Sequence, residues 1–483
     1  MSQTGRRAGL VVGGLATVSA IFLAVATTAT AREPQVSDRT AITAATPQRS
    51  ENLDKVGFLD LGGFNADIWY HRGYAYVGTW GNGTGCPAKG VRIVDVRNET
   101  QPELAGALAA GANPTEVSYS GTSQEDVMVS RINTPSFSGD LLAVGIQPCN
   151  KGVISPKRGV DLWDVSDPEN PVHLAFWRSN FTSNGWGVHE LYLFQQGERA
   201  FVAAAVPFSD SERDFRLVEV TDPTQPVEVS RWRLQDAGLE PTGGNIFVHS
   251  VHANRAGTKV FVSYWDFGEV ILDISDPTSP QYLGRTVYPQ AASGDTHSAW
   301  LSRGENYLYV ADEDLSPQDG TWGFLRIWDI RNPANPKQLK VWKTANSSAP
   351  APESSGDFTI HNPFIVGRRA FLSWYSDGVR VLDIANPRRP QEVAYFVPRS
   401  QPDPFGVLPN APEVWGVVAR GDLVFASDMN QGLFILRLGA GADRLDFSDL
   451  ALRQPAPALS FQPQSRSAGS ANLLCVAALA DAE

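Results

Sequence analysis

The stretch Gly378-Val379-Arg380-Val381-Leu382-Asp383-Ile384-Ala385-Asn386-Pro387 decides the fold, because it recurs along the chain. An apolar run, an acid, one more apolar residue and usually an Asx-Pro turn are also found at Val91–Val96, Val160–Val165, Phe215–Val220, Glu269–Ile274 and Leu325–Ile330. A last copy, Leu433–Leu438, carries Arg437 in place of the acid. Aligned on the acid, successive copies lie 69, 55, 54, 56, 54 and 54 residues apart. A fixed period of this size marks a propeller or a solenoid.

Working outward, each copy is preceded by a strand such as Val260-Phe261-Val262-Ser263 or Ala370-Phe371-Leu372-Ser373, and by another such as Ala299-Trp300-Leu301. A fourth follows the turn, as at Glu392-Val393-Ala394-Tyr395-Phe396. Four short strands per repeat is the composition of a propeller blade, and seven repeats predict an all-β, seven-bladed β-propeller with antiparallel blades. The repeated strands are apolar on nearly every position, as expected for strands buried on both faces between neighbouring blades. The seventh copy lacks a fourth strand, whereas Leu53–Leu61, ahead of the first repeat, lacks partners. The N-terminal strand is therefore expected to complete blade seven and close the ring, which removes exposed sheet edges.

Domain limits follow: a signal peptide at 1–31, a linker at 32–52, the propeller at 53–438 and a low-complexity, mobile tail at 439–483. The signal reading rests on Arg6 and Arg7, an apolar stretch to Ala26 and the small residues Ala29-Thr30-Ala31. Export places the protein outside the cell, on its surface or in a periplasm; an uncleaved anchor is the alternative, since the apolar stretch nearly suffices to span. After cleavage no segment is expected to insert stably in a membrane. The formal charge of −12 becomes −14 on removal of the two arginines, which argues against nucleic acid as a partner. Cys86 and Cys149 precede repeat strands in corresponding loops of neighbouring repeats and are expected to pair, leaving Cys475 in the tail.

Gly90-Val91-Arg92-Ile93-Val94-Asp95-Val96 and Gly378–Ile384 followed by Asn386-Pro387 resemble the LVIVD-repeat proteins, over most of residues 53–438. The resemblance implies a secreted or surface β-propeller and adds little chemistry.

The repeated acids Asp95, Asp164, Glu219, Asp273, Asp329 and Asp383 are read as structural. Each precedes a turn, and a buried acid must be paired or accept backbone N–H groups; the arginines three residues earlier (Arg92, Arg216, Arg326, Arg380) are the available partners. The histidines differ. Of seven, His189, His249, His297 and His361 hold one equivalent position, at the start of the first strand of successive blades. The spacing assigns that place to Glu116 in blade two, Asp67 in blade one and Trp415 in blade seven. First strands line the central channel, so the four imidazoles gather at one mouth and suit copper, iron or zinc. Glu116 would then orient a ligand or act as a catalytic base. The competing explanation is duplication of a residue that hydrogen-bonds to a neighbouring blade or to water. His252 is an outer candidate, and His71 and His173 read as surface residues.

Loops between second and third strands bring Trp80, Arg131, Asp266, Asp312, Trp374 and Asp428 to the same mouth as candidate ligand-binding residues. Aromatics interleaved with acids suit a small polar or cationic ligand. Asp312-Glu313-Asp314 lacks the glycine and spacing of a calcium loop. Phosphate-cradling glycine loops, nucleophile elbows and zinc-protease motifs do not occur in the sequence. Two functions remain in view: a secreted binding scaffold that recognises an extracellular small molecule or protein at the channel mouth, and a metal-dependent oxidoreductase using the histidines.

Overall fold

The computed structural model describes residues 48–81, 89–108, 121–149, 158–179, 186–207, 214–241, 244–288, 295–315, 322–348, 356–402 and 410–439. The signal segment, Cys86, Glu116, Cys475 and all of the tail beyond Gly439 lie outside them, so the disulfide and the proposed catalytic base do too.

Seven antiparallel sheets follow one another along the chain. Blade four is representative: Val248–Ala253, Lys259–Tyr264, Gly268–Asp273 and Gln281–Arg285 pair in sequence order. The innermost strand of each blade packs beside that of the next, and blade seven meets blade one. Interleaved clusters of buried Val, Ile, Leu and Phe fill the spaces between blades. No single blade can bury two apolar faces by itself, and the ring supplies both. Among the described residues no helix is long and apolar enough to cross a membrane.

Closure is as expected. Leu53–Asp60 pairs with Gly432–Leu438 and is the fourth strand of blade seven. Arg49–Glu51, which the sequence places in the linker, goes further and pairs with Gln391–Val397 as a fifth strand on blade six. The terminus thus clasps two blades.

The repeat acids are turn-formers. Asp95, Asp164, Asp273, Asp329 and Asp383 each accept the backbone N–H two residues on, at 2.8–3.1 Å. The following Asx residues repeat the device at Glu169, Thr224 and Thr278. These bonds favour the ionised carboxylate, and Asp383, which also binds Arg368 and Arg369, has its carboxyl lowered to about 2. The arginines three residues earlier do not serve the acids. Arg92 binds Thr79 and Asn65, Arg216 binds Glu228, Arg326 binds Asp312, and Arg380 binds Asp377 and Glu392. Strand residues three apart face opposite sides, so a same-strand pair was geometrically excluded.

The turns also touch the neighbouring blade. A Cβ on Gly57 would lie 1.9 Å from the carbonyl oxygen of Glu99, and one on Gly284 would lie 2.0 Å from that of Pro333. Ser230 donates to the carbonyl of Pro277 at 2.7 Å. The outer strand of one blade thereby rests on the turn that follows the repeat strand of the next.

Candidate metal centre

Strand pairing in each blade fixes which inner-strand residue faces the top of the channel. Counting back from the repeat acid through the ladder, the shared position is held by Ala66, Glu125, His189, His249, His297, His361 and Trp415. The four histidines therefore come together, as their spacing predicts. In successive pairs their ring centroids lie 4.3, 4.1 and 4.3 Å apart, and Trp415 continues the arc 4.3 Å from His361.

Two blades depart from the sequence register. In blade two Met128 belongs to the first strand, Val127–Asn133, which pairs with Ser138–Pro148. The apolar run Leu141–Val144, not the segment around Met128, is the second strand, and the extra length of that repeat conceals it. The place assigned to Glu116 is consequently taken by Glu125. In blade one Asp67 lies a layer deeper, where Asn362 donates to both its oxygens at 3.0 and 3.1 Å.

Hydrogen bonds orient the imidazoles at the two ends of the arc. The Glu125 carboxylate lies 2.8 Å from His189 Nδ1, and Gln147 donates to the same carboxylate at 2.7 Å. The Gln147 amide nitrogen also lies 3.1 Å from Nδ1, and these contacts fix the ring so that Nε2 faces His249. His189 Nε2 stands 2.8 Å from His249 Nε2. At the other end of the arc His361 Nδ1 donates to the carbonyl of Trp415 at 2.7 Å, and its buried Nε2 has no hydrogen-bond partner among the described residues.

Two carboxylates join the rings. Glu190 Oε1 is 3.8 Å from His249 Nδ1 and 3.9 Å from His297 Nε2, and Glu313 Oε2 is 3.9 Å from His297 Nε2. Donors bound to one ion at about 2.1 Å can be no more than about 4.2 Å apart, and these spacings fall inside that limit. Two donor sets, Glu190 with His249 and His297, and His297 with Glu313 and His361, each gather their ligand atoms within 4.8 Å. Both use His297, which makes it the pivot of the site. Neither Glu125 nor Glu190 is singled out by spacing; the signal for Glu190 was its place directly after His189, at the start of a channel-lining strand.

Every one of these side chains is buried, the histidines by 97 per cent or more. Burial removes water that would stabilise an imidazolium, so His297 titrates well below its ordinary value and His361 is pushed down to about 3. Both present neutral imidazole, the form that ligates metal. Burial, then the neighbouring Asp126 and Asp67, hold the Glu190 carboxyl well above its usual range. Asp126 itself is raised to about 7, chiefly by burial. A divalent cation among these carboxylates would offset charges that burial leaves costly.

Aromatic layers bound the arc on both sides. Trp265 packs 5.0 Å from His249 and Tyr375 5.3 Å from His361, and the Tyr375 hydroxyl donates to Glu313. Three residues deeper, Tyr192, His252, Trp300 and Phe364 pack in succession with tilted or edge-on rings and centroids 4.3–4.8 Å apart. His252 belongs to this aromatic layer and not to the donor set.

The other candidates are distributed. Trp80 lies 6.1 Å from Trp415 and roofs the arc. Asp312 binds Arg326, Trp374 donates to the carbonyl of Phe358 at 2.9 Å, and Asp428 accepts the amides of Glu413 and Asn430. Asp266 accepts the amide of Asn245 at 2.6 Å. Arg131 stands six residues along the strand from Glu125, beside Asp140 at 3.5 Å. His71 and His173 are not surface groups: His71 is 6 per cent exposed against Asp140, and His173 is 2.7 Å from the buried Asp161.

A family model for the LVIVD repeat matches residues 62–109, 257–286 and 293–343. No curated protein matches the chain. Among solved structures, the crystal structure of Chaetomium thermophilum Raptor aligns at 13 per cent identity and TM-score 0.49, over 83 per cent of this chain and 30 per cent of that one. The C-terminal WD40 domain of Sif2 aligns at 11 per cent identity and TM-score 0.46, over 80 and 99 per cent.

Proposed function

We propose that this chain, which carries LVIVD repeats in a seven-bladed propeller, is an exported binding scaffold with a transition-metal ion held inside the top of its channel. The observation that carries the reading is the buried donor set Glu190, His249 and His297, with His361 and Glu313 at its edge. Mixed imidazole and carboxylate donors suit zinc, copper or iron. Four consecutive blades contribute donors, so the ion ties them together. His189, held by Glu125, completes the arc, and Glu125 takes the orienting role.

Burial bears on what the site can do. A protein partner cannot reach histidines this enclosed, and recognition of an extracellular ligand therefore belongs to the rim above them. The oxidoreductase alternative uses the same ion and admits only small reactants past the aromatic layers. Export is supported by the Arg6-Arg7 segment and the apolar stretch behind it, and the Cys86–Cys149 pair belongs to that oxidising setting.

Elemental analysis of the purified mature protein tests the proposal. Stoichiometric zinc, copper or iron is expected, with loss of most of it in His297→Ala and a lowered thermal midpoint on chelation. Metal-free protein that folds fully, and gains nothing from added zinc or copper, would overturn it.

A further inference from the structure

A second group of buried acids lies between blades six and seven, apart from the histidines. Asp357, Asp377, Glu413 and Asp428 have no exposed surface. Asp377 and Asp428 are compensated. Asp377 accepts from Thr344, Asn346 and Arg380, and Asp428 accepts the backbone amides of Glu413 and Asn430. Glu413 is different. Its Oε1 receives only the Ser376 hydroxyl, at 3.1 Å, and its Oε2 has no hydrogen-bond partner among the described residues.

Asp357 is the neighbouring carboxylate. Its amide donates to Ser376 Oγ at 2.9 Å, and the Ser376 amide returns a bond to the Asp357 carbonyl at 2.9 Å, so the two acids flank one serine. Two adjacent buried acids can lower their cost by sharing a proton, and that solution requires a hydrogen bond between them. Elsewhere in this molecule Asp295 is hydrogen-bonded to Asp266. The bare Oε2 of Glu413 shows that this second pair does not use it. A fully buried carboxylate oxygen without a donor is expensive, and a bound cation would satisfy it.

We infer that Glu413 and Asp357 form a site for a hard divalent cation, calcium by preference, which joins blade six to blade seven. All the groups offered are oxygens, from two carboxylates and the Ser376 hydroxyl, with no imidazole or sulfur among them. Such a donor set selects calcium or magnesium over zinc or copper, and calcium gives up its water for a buried site more readily than magnesium does. Glu413 directly precedes the first strand of blade seven, Val414–Arg420, and Asp357 lies ahead of the first strand of blade six, Pro363–Val366, so the ion would tie these two blades together.

Full-length protein stripped with EDTA is titrated with calcium chloride while thermal unfolding is followed, for the wild type, Glu413→Gln and His297→Ala. Calcium at about 1 mM, the affinity range of extracellular modules, should raise the midpoint of the wild type and of His297→Ala by the same several degrees and leave Glu413→Gln unmoved. Equilibrium dialysis should find calcium bound to the first two and lost in the third, whose zinc or copper content is unchanged. An unmoved wild type, or an equal response of Glu413→Gln, overturns the inference. Should Glu413→Gln not fold, Asp357→Asn replaces it, and dialysis of the wild type decides by itself.

Discussion

Glu269 sits on the third strand of blade four with no exposed surface, and the Ser263 hydroxyl donates to it at 2.7 Å. Burial, reinforced by Asp312, pushes its carboxyl up to about 8. Between the unfolded value of about 4.5 and the folded value, the native chain keeps a proton that the unfolded chain has released. Stability from this residue is therefore fully present below pH 4.5 and declines as pH rises through 8. Glu269→Gln keeps the shape and removes the titration, so its thermal midpoint should exceed that of the wild type at pH 8 and match it near pH 4.5. A variant with the same slope as the wild type over that range would contradict the assignment. Asp383 has the opposite sign: its lowered carboxyl contributes stability above about pH 4 that is lost as pH falls through about 2. None of this was legible in the sequence, where Glu269 is one more residue of an apolar run.

At the scale of the element, the turn that follows the repeat strand does two jobs. Its acid and Asx side chains cap their own backbone, and its carbonyl seats the outer strand of the preceding blade. Gly57 and Gly284 are the contact points, and neither tolerates a Cβ without displacing backbone. Gly57→Ala and Gly284→Ala should each lower the thermal midpoint, by about 1–3 kcal/mol in stability as overpacking does. The two lie in different blades, so the double variant should show the sum. A neutral Gly284→Ala in a thermal melt would mean that the turn moves freely. The turn itself could be read from Asp-Pro and Asn-Pro, since local hydrogen bonding dictates it. Its second contact depends on a residue some 50 positions away.

Across the whole molecule, closure is the feature most open to test. Removal of residues 1–61 deletes the fourth strand of blade seven and the added strand on blade six. The exposed edge of Gly432–Leu438 should then pair with other chains, giving oligomers or precipitate by size-exclusion chromatography, whereas deletion of 1–47 should leave a monodisperse protein. The ring and its closure were legible because a period of about 54 residues admits few architectures, and an unpartnered strand at each end has one economical solution. The four histidines were legible because the same hairpin geometry recurs in blades three to six. Glu125 was not, since blade two carries a longer second strand and its register slips when counted from Met128. His71, too, reads as a surface residue until the fold brings Asp140 over it.

Sequence alone determined the number of blades, the order of their strands and the alignment of four imidazoles, because these follow from local periodicity and from the alternation of faces along a strand. Tertiary structure decided what stands beside them. Glu190, Glu313 and Glu125 reach the histidines, and Glu413 reaches Asp357, only when successive blades are folded and packed side by side around one axis. Partnership between buried charges depends on distance in space, which no spacing along the chain encodes.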